Sequence, residues 1–259
     1  MPTLIFPDRP GNWDISDLKY AATALKWNTY AMRYRVPNDI QFDNPVLYGD
    51  PLFCDIVAAQ LGVRLIEPPH DLLLRLDPRF TKRQIALSTL AKARKDLSRP
   101  MFVKSAIDKS IAARVYSSGA DLPDQSVASD DLPVLLSEPV RWLQEWRLFI
   151  RWGRILAHSL YFRDGILDIV RTREEKADML RYAEPLVEEI VELLPDGVVL
   201  DIGIIEGAGW AVVEANPVWG GGIYGCEPPD VLRALEVGTV SLDSNSPFLR
   251  PVIQLEEES

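Results

Sequence analysis

The chain has 259 residues, 47% hydrophobic and 25% charged, which suits a globular protein with one large core or two smaller ones. With 28 Lys and Arg against 38 Asp and Glu the formal charge is -10, which excludes a general binder of nucleic acid or membrane surface, a local basic groove aside. No apolar run approaches the about 18 residues of a membrane span, no secretory signal is evident, and Cys54 and Cys226 form no C-x-x-C, so a reducing cytoplasm without disulfides is the expected setting.

Thr3–Phe6 reads as a first strand. Trp13–Leu25 reads as a helix, with Asn12 or Asp14 at its start and Ile15, Leu18, Ala22 and Leu25 on one face. Met32–Val36 reads as an extended segment and Val46–Tyr48 as a strand. The next helix is punctuated at both ends, by Asp50 as N-cap, Pro51 in the first helical position and Gly62 just past the end. Val63–Ile66 follows as a strand. Strands alternating with helices predict a small α/β lobe with partly parallel pairing over residues 1–75.

Phe80–Leu97 reads as a basic amphipathic helix whose Lys82, Arg83, Lys92, Arg94 and Lys95 form a solvated face. Met101–Lys104 is a short strand, Lys109 follows in a turn, and Ile111–Tyr116 returns as a strand. A lysine at a strand end reaches a phosphate as a point charge, although a plain surface role is commoner for any single lysine. Gly119–Asp131 is a polar loop, and Val134–Glu138 a strand leading into Pro139. In Glu145–Ile150 the residues Glu145, Arg147 and Phe149 share one face, and Trp146, Leu148 and Ile150 the other. Trp152-Gly153 reads as a hairpin turn and Ile155–Tyr161 as the return strand, so that pairing Arg151 with Arg154 sets Arg147 opposite His158. The planar fork of Arg147 suits a phosphate or carboxylate; the competing reading is a salt bridge to Glu145. His158 reads as structural, and Arg163 at the end of the return strand is a second phosphate candidate. Thr172–Leu194 reads as a helix opened by a Thr172–Glu175 capping box and kinked or split at Pro185. Asp230–Val237 reads as a short helix, and the terminal LEEES as a frayed end.

The most informative stretch is VVLDIGIIEGAGWAVVEANP, Val198–Pro217, which reads as two strands joined by the turn Glu206–Gly209. Val199, Asp201, Gly203 and Ile205 share one face of the first strand, and Trp210, Val212, Glu214 and Asn216 one face of the second. If Ile205 pairs with Trp210, Asp201 lies directly opposite Glu214, with Asn216 one step along. Opposed carboxylates repel, so a cation between them is expected, and Mg²⁺ suits a few carboxylate oxygens completed by water and phosphate. The competing reading is a solvated strand face. There is no Walker A sequence and no G-x-S-x-G, and Val212 stands where a dinucleotide fingerprint starting at Gly207 needs its third glycine.

Asp201, the run Glu214-Ala-Asn216-Pro217 and the glycine-rich WGGGIYG, with MFVKSAIDKSIAARVY, LLSEPVRWLQEWRLFI and SLYFRDG before them, resemble an ATP-grasp domain. Within that superfamily they resemble the clade named for one arginine and two lysines, over about Met101 to Pro228. The resemblance implies an α/β (α+β) class and an ATP-grasp fold. A small lobe at 1–75 would precede an ATP-grasp domain at 76–240, whose two subdomains hold ATP about a hinge near 134–145, with a tail at 241–259. It implies Mg²⁺ held by Asp201, Glu214 and Asn216 against the phosphates of ATP. Lys104 and Lys109 match the two lysines, although Ser105 stands where relatives commonly carry proline, and Arg147 matches the arginine. Glu138 fits the hinge, whose backbone binds adenine, and Glu145 fits an acceptor for ribose hydroxyls; Arg163 stays a candidate for the cofactor phosphates. The implied activity is an ATP- and Mg-dependent ligase that joins a small-molecule or peptide carboxylate to an amine or other nucleophile through an acyl-phosphate. The alternatives are phosphoryl or nucleotidyl transfer from the same ATP site, and a nucleotide-binding module without turnover.

Overall fold

The computed structural model describes residues 1–9, 11–167 and 173–251. Thr172 of the capping box and the terminal LEEES lie outside the described residues.

The chain opens with β1 (Thr3–Pro7), α1 (Trp13–Ala24), β2 (Asn28–Met32), β3 (Pro45–Leu47), α2 (Pro51–Leu61) and β4 (Val63–Leu65). β1 is a continuous buried run and lies at the centre of a parallel sheet of order β2-β1-β3, as expected of a strand covered on both faces. Asn12 caps α1 by accepting from Ile15 N (3.2 Å), and the helix buries Ile15, Leu18, Ala21 and Ala22. α2 follows its punctuation: Asp50 accepts from Phe53 N (3.0 Å), Pro51 starts the helix, and Gly62 ends it at φ 67. The lobe differs from expectation in two places. The extended segment is Asn28–Met32 rather than Met32–Val36, because its partner β1 selects that register. And β4 pairs antiparallel with the late strand β14 (Thr239–Ser241), outside the parallel sheet.

Two short helices, α3 (Leu72–Arg75) and α4 (Pro78–Thr81), lead to β5 (Ile85–Thr89), α5 (Leu90–Asp96), β6 (Met101–Ser105), β7 (Arg114–Tyr116) and β8 (Pro133–Ser137). These strands form an antiparallel sheet of order β5-β8-β6-β7. The single basic helix expected over Phe80–Leu97 is therefore replaced by helix, strand and helix. Lys82 turns left-handed (φ 49) and stops α4, Ile85–Thr89 is claimed by β8, and Thr89 caps α5. Tertiary pairing overrides a helical periodicity here.

The remaining elements are β9 (Trp142–Arg151), β10 (Arg154–Arg163), β11 (Ile166–Leu167), α6 (Arg173–Ile190), β12 (Gly197–Ile205), β13 (Gly209–Pro217) and α7 (Pro228–Leu235). The strands make an antiparallel sheet of order β11-β10-β9-β12-β13. One face, with Trp146, Leu148, Ile150, Val198, Leu200 and Ile202, packs on Met179, Ala183, Leu186, Val187 and Ile190 of α6. Neither kinked apart nor split, α6 runs through Pro185: the proline is exposed, the carbonyl it leaves unbonded belongs to exposed Arg181, and the buried stripe holds the helix to the sheet. The other face joins the N-terminal lobe through Phe149, Ala157 and Val199, and it carries the site.

Candidate active site

Register places the functional side chains. Trp152 (φ 49) and Gly153 (φ 68) form the expected tight turn with both central residues left-handed, and Arg151 pairs with Arg154. An irregularity between Ile155 and Ala157 then shifts the partner strand by one, so Arg147 lies opposite Ser159 and not His158. The second hairpin has a similar correction. Ile205 pairs with Gly209, and Ile204 with Trp210, in place of the Ile205–Trp210 pairing. A bulge at Val213, between Asp201 and Ile202 of the partner, restores the register, and Asp201 does lie opposite Glu214. The bulge also flips the faces: Trp210 and Val212 pack toward α6, while Glu214 and Asn216 point the opposite way.

Ser159, Arg147, Asp201 and Glu214 thus form one row across β10, β9, β12 and β13. Arg147 is 5% exposed and Asp201 is fully buried. The arginine grips the aspartate with both prongs, Nε to Oδ1 at 2.9 Å and Nη2 to Oδ2 at 2.7 Å, and gives its Nη1 to the Gly222 carbonyl at 2.9 Å. Arg147 therefore pairs with Asp201 and not with Glu145. Burial pushes the Asp201 carboxyl up, to about 6, against the lowering effect of Arg147. Glu214, at the row's end, takes the Lys104 ammonium on Oε2 (2.6 Å) and the Asn216 amide on Oε1 (3.0 Å). Burial opposes ionisation of Glu214, but Lys104 outweighs it and holds the carboxyl down, at about 2.

Between the two antiparallel sheets runs a cleft of about 350 Å³, lined by Lys104 and Phe102 of β6, by Ser137–Val140 of the connection, and by Glu145 and Glu214. Glu138 stands at that connection, where its backbone N–H donates to the Gln84 carbonyl (2.9 Å). Glu145 accepts from the Tyr161 hydroxyl. Burial pushes its carboxyl up, to about 7, although the Tyr161 hydrogen bond works the other way, and Asp201 and Glu214 add to the rise.

Two candidates stand apart from this cluster. Lys109 is exposed in the loop after β6, which is organised by Asp108 through hydrogen bonds from Ser105 and Ser110. Arg163 lies at the far end of β10, opposite Gln144, and does not line the cleft. Among the described residues no group of three or more His, Cys, Asp or Glu side chains stands ready for a metal. The donors that remain, Glu214 and Asn216, are the hard oxygens Mg²⁺ takes, and the Lys104 ammonium on Glu214 marks a position that calls for positive charge. Asp201 has both oxygens committed to Arg147.

Sequence reading passed over Arg83. Its guanidinium donates to the Val212 and Val213 carbonyls at the bulge (2.7 and 2.8 Å) and to Ser137 Oγ (3.1 Å), tying the two sheets together along the cleft. Being one basic residue in a run, it gave no signal. Asp14 was equally silent: from α1 it accepts from Tyr48 Oη and from Ile223 N, both at 3.0 Å. Cys226 is buried under Arg147, its thiol pushed up to about 12 by burial, so it is a packing residue.

A family model for the ATP-grasp domain, the second family of the clade named for one arginine and two lysines, matches residues 80–234, more than half of the chain. The chain belongs to that family. No curated protein sequence matches it. Solved ATP-grasp structures share the fold at low identity. D-cycloserine synthetase DcsG superposes with TM-score 0.57 at 12% identity, covering 91% of this chain and 99% of that one. D-alanine–D-alanine ligase from Bacillus anthracis gives 0.53 at 12%, covering 91% and 96%. N5-carboxyaminoimidazole synthase from Aspergillus clavatus, solved with ADP and an aminoimidazole ribonucleotide, gives 0.59 at 12%, covering 93% and 78%. The chain thus has an ATP-grasp fold. No helix among the described residues is long and apolar enough to cross a membrane.

Proposed function

We propose that this ATP-grasp protein is an ATP- and Mg-dependent ligase that joins a carboxylate to an amine through an acyl-phosphate. The observation that carries the reading is the charged row Arg147–Asp201–Glu214, ended by Lys104, whose Glu214 and Lys104 line the same cleft as the Ser137–Val140 connection. Adenine would lie against the Glu138–Val140 backbone, with the ribose hydroxyls on Glu145. Lys104 would leave Glu214 for the phosphates, and Glu214 and Asn216 would then hold Mg²⁺, joined by Asp201 where Arg147 releases it. When bound, Mg²⁺ supplies neutralisation of phosphate charge. Neither Lys109 nor Arg163 is needed for these steps.

The chemistry has two steps. A substrate carboxylate oxygen attacks the γ-phosphorus, an O–P bond forms, and the bond to the β-phosphate oxygen breaks, leaving ADP. The amine nitrogen then attacks the acyl carbon, a C–N bond forms, and the C–O bond breaks with its electron pair on departing phosphate. An ammonium nucleophile releases two protons in the course, one to phosphate and one to solvent. Both steps gather negative charge, which the Arg147 and Lys104 donors, once turned to the phosphates, would stabilise. The test is ADP release from pooled carboxylic acids with hydroxylamine as trap. The reading predicts hydroxamate formed in step with ADP for at least one pool. ADP release without hydroxamate, or phosphorylated product from alcohols, would favour phosphoryl transfer instead.

A further inference from the structure

We infer that Asp14, braced by Tyr48 and the Gly222–Ile223 backbone, forms a subsite for the primary ammonium group of the nucleophile. The inference rests on the ligase reading above and names the chemical class of one of its two substrates.

Asp14 comes from the first turn of α1, yet its carboxylate lies against the glycine-rich loop that follows β13. Its Oδ2 is fixed from two sides, by the Tyr48 hydroxyl and the Ile223 N–H, both at 3.0 Å. Tyr48 is 5% exposed, and burial together with the Asp14 charge keeps its proton in place, so it acts as a donor. Among the described residues no hydrogen bond reaches Asp14 Oδ1 and no cation pairs with this part-buried carboxylate.

The neighbouring charges are already balanced. Arg147 is matched by Asp201, and Lys104 by Glu214. Asp14 has no such match; unlike Glu145, which burial keeps protonated up to about 7, it stands beside Arg147 and the glycine-rich loop, and a part-buried carboxylate without a partner favours a cation. A Cβ built on Gly222 would lie 3.4 Å from Asp14 Oδ2, 3.7 Å from Arg147 Nη1 and 3.6 Å from Tyr224 Cζ, so all three groups converge on one point. Tyr224 is held in the left-handed region (φ 43), an unfavourable conformation for a bulky residue that sets its ring 4.5 Å from the Arg147 guanidinium. Beside the arginine proposed to stabilise the acyl-phosphate there is thus an anchored anion, which suits an ammonium and repels a second carboxylate, while the Tyr224 ring, stacked on Tyr161 and already over Arg147, walls the spot.

The test is binding of propylamine, putrescine and alaninamide, with propanol as the neutral control, by saturation-transfer NMR on the full chain loaded with Mg²⁺ and the nucleotide analogue AMPPNP. Wild type is expected to bind at least one amine and not propanol. Asp14→Asn, which keeps an oxygen for Tyr48 and Ile223, is expected to weaken the amine tenfold or more while AMPPNP still binds. Tyr48→Phe is expected to weaken it several-fold and decides the matter if Asp14→Asn does not fold, as judged by thermal unfolding. AMPPNP binding without any amine, equal amine affinity in wild type and Asp14→Asn, or, where only Tyr48→Phe folds, no change in that variant, would overturn the subsite and leave the nucleotide reading intact. Failure of AMPPNP itself to bind would overturn the ligase reading and the subsite with it.

Discussion

Replacing Asp201 with alanine separates two roles for this residue. Asp201 is fully buried and both its oxygens are held by a guanidinium that is itself buried. Removing the carboxylate strands that cation, and breaking a buried pair from one side costs about 3–5 kcal/mol. At roughly 2–4 °C per kcal/mol for a chain of this size, the melting temperature of Asp201→Ala should fall by about 6–20 °C, read by circular dichroism without nucleotide. The double variant Arg147→Met, Asp201→Leu removes both charges and refills the volume. Its stability should return to within about 1 kcal/mol of wild type or exceed it, while it stays unable to turn over. If Asp201→Ala melts within a degree of wild type and loses only Mg²⁺-dependent nucleotide binding, Asp201 is a solvated metal ligand and the Arg147 pair is not the resting arrangement.

Three further outcomes are expected. Burial raises the Glu145 carboxyl to about 7, so the folded state favours its protonated form; its contribution to stability is complete below about 4.5 and is lost as pH rises through about 7. Wild type should therefore lose stability over that window relative to Glu145→Gln, while its ATP affinity rises with pH, and a flat comparison by thermal unfolding and calorimetry would contradict the assignment. Glu214 has the opposite sign: Lys104 holds it down at about 2, so its contribution is present above about 4.5 and lost as pH falls through about 2. Lys104→Met should move the acid-unfolding midpoint upward and weaken ATP binding, and an unchanged midpoint would show that the ion pair is absent in solution. Arg83→Ala should cost on the order of 10–100-fold in ATP affinity, since charge-assisted hydrogen bonds of about 1.5–3 kcal/mol hold the bulge that aims Glu214; unaltered affinity would mean the bulge holds itself.

The parts of the fold legible in the sequence were those fixed by local chemistry. Asp50, Pro51 and Gly62 bound α2 because caps act over a few residues, and Trp152-Gly153 marks its hairpin because a two-residue loop selects left-handed residues. Asp201 opposite Glu214 was legible as well, by a route only half right: the turn-proximal pairing was off by one, and the Val213 bulge corrected it. Bulges have no sequence mark of their own, which is why Arg147 was set against His158 rather than Ser159. Long-range partners were the other gap. Nothing in the sequence near Asp14 or Arg83 announces the Gly222–Ile223 loop or the Val212 and Val213 carbonyls, which lie more than a hundred residues away. The misread helix at Phe80–Leu97 has the same cause, since β5 exists only because β8 is there to pair with it.

Central to the proposed activity is a nucleotide site in which Glu214 carries the metal requirement. Calorimetric titration of ATP, with and without Mg²⁺, into wild type and Glu214→Ala tests it most directly. The predicted result is Mg²⁺-dependent binding to wild type that falls at least tenfold in the variant. Equal binding with and without Mg²⁺, or no binding to wild type under either condition, would contradict it.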